Sequence, residues 1–219
     1  MASLNNRIES LGDHMGNRVW ELIKNEKKRL LGIVIWTVLA VLLAYKMNPR
    51  PYGQYTSYLI RPIAEEKTLI TSAGQSTEAY IVKDVINQLK IKNKFSPQLA
   101  QLEDDEIKSM IMVVGYSEAN MKIQEKNYLQ EYERVDQLIQ QAKKQKLPLI
   151  GIYLSAGKRK DDETKKLLEK VSRDADYLIV VYDEKNEWNC EKEIKNQDLP
   201  ISVVKKLDEI KEPLASAFR

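Results

Sequence analysis

The stretch Leu30–Tyr45, LLGIVIWTVLAVLLAY, carries no charged side chain, and no other feature of the chain narrows its fate as much. A helix on a water-soluble domain keeps a polar face, and this run has none. Crossing a bilayer takes roughly twenty residues, so the run is slightly short. Lys46 can snorkel, and Trp36 and Tyr45 suit a membrane environment, so a tilted helix or a thinned bilayer closes the gap. The run begins late for a secretory signal, and no small-x-small site follows closely, so an uncleaved single-pass anchor over residues 30–46 is predicted. Lys24, Lys27, Lys28 and Arg29 crowd its N-terminal edge, with Arg7 and Arg18 behind them. The far side has Lys46, Arg50 and, more distantly, Arg61. The positive-inside rule then puts the N-terminus in the cytoplasm and the larger C-terminal part outside the cell membrane.

The flanks of the span look like contact surfaces. In residues 1–29, Leu4, Ile8, Leu11, Met15, Val19, Leu22 and Ile23 recur at helical spacing, interrupted by Gly12 and Gly16. The reading is a basic amphipathic helix at the interface or docked on another membrane protein, with a loosely ordered tail as the alternative. Leu4, Ile8, Leu11, Met15, Val19 and Trp20, together with Trp36 and Tyr45, are the expected membrane or partner contacts. Residues 47–66 hold Pro49, Pro51 and Pro62, which exclude a regular helix and predict an extended Pro/Tyr-rich linker. Its tyrosines predict that part of it packs on a surface.

Residues 67–219 read as one soluble α/β domain. Strands are predicted at Thr68–Ser72, Met110–Val114, Leu149–Leu154, Tyr177–Tyr182 and Ile201–Val204. Helices are predicted at Thr77–Leu89, Tyr128–Lys146, Asp162–Ala175 and near Asp208–Ala217. A short edge strand and a helix are expected within Lys90–Ser109. Continuous apolar strands alternating with amphipathic helices imply a three-layer, mostly parallel, doubly wound sheet of Rossmann or flavodoxin type.

Ligands in such folds sit outside the carboxyl ends of the strands, at the switch in strand order. The loop Thr71-Ser72-Ala73-Gly74-Gln75-Ser76-Thr77 is the most suggestive, because a small hydroxylated turn there runs into a helix N-terminus that favours an anion. Ser72, Gly74, Gln75, Ser76 and Thr77, with Gly115, Ser117, Lys158 and Arg159 from neighbouring loops, form the candidate site for a small anionic ligand. The plainer alternative is that Ser76 or Thr77 caps the helix and the glycines permit tight turns.

Composition removes several chemistries. The chain has one cysteine, Cys190, and one histidine, His14, which precedes the membrane run. An intrachain disulfide, a multi-thiolate metal site and histidine-based triads in the soluble domain are therefore excluded, and neither metal nor cofactor is expected. With 31% charged residues, signs interspersed and a net charge of only +3, solvated helix faces rather than a nucleic-acid surface are expected.

The segments TSAGQSTEAYIVKDVI (71–86), IMVVGYSEA (111–119), LPLIGIYLSAGKRKDDE (147–163) and ADYLIVV (175–181) resemble a bacterial and archaeal family of a domain of unknown function. Its members are small exported or membrane-anchored α/β proteins. The resemblance spans roughly 67–210, and its most distinctive piece is Thr71, Ser72, Gly74, Gln75 and Ser76. It implies the fold and an extracytoplasmic location and names no reaction. This chain departs from the family at Gly115-Tyr116-Ser117-Glu118-Ala119-Asn120, where the family has a Gly-rich loop with a lysine. It departs again at Gly157-Lys158-Arg159-Lys160-Asp161, where the family places paired arginines between glycines. Either change would alter a ligand held there.

Three functions follow. The first is a non-catalytic accessory subunit of a transporter or secretion-type membrane complex, in contact with the bilayer and an integral membrane protein. The second is a membrane-tethered receptor for a small anionic solute. The third is an enzyme: Trp188-Asn189-Cys190-Glu191 resembles, with spacing off by one residue, a stretch of Toll/interleukin-receptor-like NAD-cleaving domains. A partly buried Trp and Cys closing a helix is the plainer account of that stretch, and Ser76 has no histidine in the domain to activate it. The accessory role ranks first.

Overall fold

A computed structural model describes residues 36–37, 54–55, 57–156, 161–182, 194, 196 and 198–219. The chain divides into two compact units, Met1–Arg50 and Pro51–Arg219. In the first, only Trp36 and Thr37 are described, and both are helical. The expected span over 30–46, the amphipathic segment over 1–29 and Tyr45 otherwise lie outside the described residues. No helix among the described residues is long and apolar enough to cross a membrane.

The described residues of the second unit form seven strands: β1 (Gln54–Tyr55), β2 (Thr68–Ala73), β3 (Asn93–Phe95), β4 (Ser109–Val114), β5 (Leu149–Ala156), β6 (Tyr177–Tyr182) and β7 (Pro200–Val204). They form one sheet in the order β1-β7-β6-β5-β4-β2-β3, and every pairing is parallel. Among the described residues five α-helices accompany it: α1 (Glu78–Gln88), α2 (Glu118–Ile123), α3 (Tyr128–Lys144), α4 (Asp162–Asp174) and α5 (Lys211–Phe218).

The strands form where the apolar runs predict them because both faces of the sheet are covered, so no alternation with polar residues is needed. All six residues of β2 and all six of β4 are buried. On one face, α1 contributes Ala79, Val82, Val85 and Ile86, and α5 contributes Leu214 and Ala217, against Ile70, Ile111, Val113, Ile150 and Ile179. On the other, α3 (Val135, Leu138, Ile139, Ala142) and α4 (Leu167, Leu168, Val171) pack on Leu69, Met110, Met112, Tyr153 and Leu178. Each fully buried side chain of this size stabilises by about 1.5–3 kcal/mol before entropy is counted. Gly151 marks how close α4 lies: a Cβ there would stand 2.9 Å from Leu178 Cδ1 and 3.2 Å from Val171 Cγ1.

Local chemistry sets the helix ends. Asn127 and Gln130 form a reciprocal capping box at the start of α3, and Asp161 caps α4 through the Thr164 amide. The expected three-layer arrangement holds, and the sheet is wholly rather than mostly parallel among the described residues. Other details differ from expectation. The edge strand within 90–109 is β3, but the expected helix there is an irregular strap whose Leu99, Leu102 and Ile107 join the core under α3. The segment after Gly115 winds into α2 instead of remaining a loop. Near Asp208 the chain first makes a 3-10 turn (Leu207–Ile210), and the α-helix starts only at Lys211. Gln54–Tyr55, inside the Pro/Tyr-rich segment, pairs with Pro200–Ile201 of β7.

Candidate functional site

From β2 the chain runs outward through α1 to β3, then returns past β2 to β4 and continues the opposite way. The switch in strand order therefore falls between β2 and β4, where a doubly wound sheet opens its ligand crevice. Here the crevice is bordered by Ala73-Gly74-Gln75-Ser76 after β2 and Gly115-Tyr116-Ser117 after β4.

The two loops are tied together. Gly115 N donates to Ala73 O (2.9 Å), Ser117 N to Gly74 O (2.8 Å) and Asn120 Nδ2 to Gln75 O (2.8 Å). Gly74 has φ +105°, and a Cβ on it would lie 2.4 Å from Gly115 O, so glycine is required both by conformation and by space. Gln75 follows at φ 61°, a left-handed conformation that turns its side chain inward to 4% exposure.

What Gln75 meets is a buried ion pair. Glu131, on the first turn of α3, is 0% exposed. Its carboxylate accepts from Gly74 N (2.8 Å), from Gln75 Nε2 (3.1 and 3.0 Å), and from Arg134 Nε (2.8 Å) and Nη2 (2.6 Å). Arg134, 6% exposed, also donates through Nη1 to Leu99 O (2.7 Å) and through Nη2 to Ser72 O. Gln75 Nε2 lies 3.4 Å from Pro97 O, and its Oε1 accepts from Gln124 Nε2 (3.2 Å). A carboxylate of the protein itself thus takes the Gly74 amide that the sequence offers to an anionic ligand, and the strap is fastened to the same point.

The other candidate residues divide as follows. Ser72 and Ser76 are buried, and neither hydroxyl has a hydrogen-bond partner. Thr77 is the N-cap residue of α1, but in a helical conformation and without a side-chain capping bond, so neither Ser76 nor Thr77 caps that helix. Ser117 accepts from Asn120 N as the cap of α2. Gly115 is buried beneath Gly74. Lys158 and Arg159, and the Trp188–Glu191 stretch with Cys190, lie outside the described residues.

Beside the crevice, Tyr116, Tyr128 and Tyr132 pack in series, with centroids 5.7 Å and 5.9 Å apart. Lys166 Nζ lies 5.9 Å from the centre of the Tyr128 ring and Lys170 Nζ 5.7 Å from that of Tyr132. Burial first, then Tyr132, Glu163 and Tyr116, push the Tyr128 phenol up to about 12. Tyr116 moves in the same direction, through burial and then Glu163 and Glu118. Both are neutral phenols at ordinary pH, unsuited to general-base work. At the rim, the Lys122 ammonium beside Glu118 holds that carboxyl below its usual range.

The chemistry available here is limited. The central carboxylate is fully engaged, and neither serine hydroxyl is hydrogen-bonded to a base among the described residues. No cluster of three or more His, Cys, Asp or Glu among those residues is placed to hold a metal ion. Glu131 and Arg134 were not among the candidates from sequence, yet a signal existed. They extend the buried columns 131-135-139 and 134-138-142 of α3, so each is a charge on an apolar face. A charge so placed is buried only when paired.

A family model described as a domain of unknown function (DUF6305) matches residues 65–218. No curated protein and no solved structure matches the chain.

Proposed function

The chain belongs to the DUF6305 family, and we propose that this member is a non-catalytic accessory subunit of a membrane protein complex, of transporter or secretion type. Its α/β domain is carried outside the cell membrane on a single anchor over residues 30–46. The observation that carries the non-catalytic reading is the internal pairing of the loop at the strand-order switch. Its Gly74 amide and Gln75 side chain hold Glu131, and Glu131 holds Arg134. Binding energy that a receptor or enzyme would direct at a ligand is spent on internal structure. The same pairing weighs against the receptor reading at Ser72–Thr77.

The membrane part of the proposal rests on the uncharged run Leu30–Tyr45 and on the basic residues crowding its N-terminal side. The docking surfaces would be the amphipathic segment before the span and the aromatic linker after it.

The decisive experiment is purification of the full-length chain from native membranes in mild detergent. Stoichiometric recovery of an integral membrane protein supports the proposal, and migration as a lone monomer overturns it. Orientation is read separately. A Cys190→Ser chain with Lys144→Cys at an exposed end of α3 should react with a membrane-impermeant maleimide in intact cells. Reaction only after lysis would place the domain inside.

A further inference from the structure

We draw no further inference here: the strongest candidate, the groove of about 410 Å³ beneath the amino ends of β5 and β6, where Lys143, Lys146, Asp174 and Asp176 rim an apolar floor of Ala142, Leu147, Pro148 and Leu149, carries nothing because nothing in the structure shows what covers it.

Discussion

Replacing Glu131 with alanine tests the account of the crevice most directly. The substitution removes a carboxylate that is 0% exposed and leaves the Arg134 guanidinium, 6% exposed, without its counter-charge. Arg134 Nε loses its 2.8 Å acceptor, the Gly74 amide loses its own, and only the contacts to Leu99 O and Ser72 O remain. Breaking a buried pair from one side costs about 3–5 kcal/mol, because the surviving charge stays desolvated. In a unit of this size that corresponds to a fall in Tm of about 6–20 °C. The assay is urea and thermal unfolding of the Pro51–Arg219 unit, followed by far-UV circular dichroism. A second arm adds formate or acetate, which should enter the space left by the side chain and restore stability in proportion to RT ln(1 + [L]/Kd), while chloride at equal ionic strength should not. A loss below about 1 kcal/mol, with no difference between acetate and chloride, would refute the claim that Glu131 fills an anion position.

Other expectations follow from the same structure. Gly74→Ala forces a Cβ to 2.4 Å from Gly115 O at a φ of +105° and should cost at least about 3 kcal/mol in urea unfolding. Gly151→Ala meets side-chain ends rather than backbone at close range, Leu178 Cδ1 at 2.9 Å and Val171 Cγ1 at 3.2 Å, and its loss should be nearer about 1 kcal/mol. The Asp104 carboxyl is held down to about 2, first by Lys94, then by the Glu106 amide and Lys67. A lowered native pKa gives stability that is present above the unfolded value of 3.8 and lost as pH falls toward 2. The Tm gap between the parent unit and its Asp104→Asn variant should therefore be constant near neutrality, shrink below pH 4 and close by about pH 2. For Tyr128, whose raised native pKa gives stability that is lost as pH climbs from 10 to about 12, Tyr128→Phe should blunt alkaline unfolding in that window. Its buried hydroxyl has no hydrogen-bond partner, so at pH 7 the variant should be neutral to about 1 kcal/mol more stable.

The parts of the fold that could be read from the sequence are those held by local patterns. The strands β2, β4, β5 and β6 are runs whose apolar character needs no partner to be recognised, and α1, α3 and α4 carry one-sided stripes. What escaped depends on distant residues or on little sequence. The α2 helix is six residues long, is started by Ser117, and buries only Met121. The β1 strand has two residues, and its existence rests on pairing with β7 about 145 residues later. At the candidate site, the position of Gly74 and Gln75 at the carboxyl end of a strand was legible, while the strand order that makes it a switch was not. The occupant was not, since it comes from α3, more than fifty positions away, and only the burial of Glu131 and Arg134 reveals it.

The outermost strands of the sheet, β1 and β3, have two and three residues, and β3 carries Lys94. A strand from another molecule seeking to lengthen the sheet would find far less backbone than the five or six residues a typical strand offers. Among the described residues, both edges thus offer little backbone for polymerisation along the hydrogen-bonding direction, the ordinary hazard of an open sheet. A partner that engages the described residues of this domain would therefore find side chains on helices and loops rather than a long strand edge. Changes confined to the exposed edge of β3, such as Lys94→Ala, should leave such a complex intact.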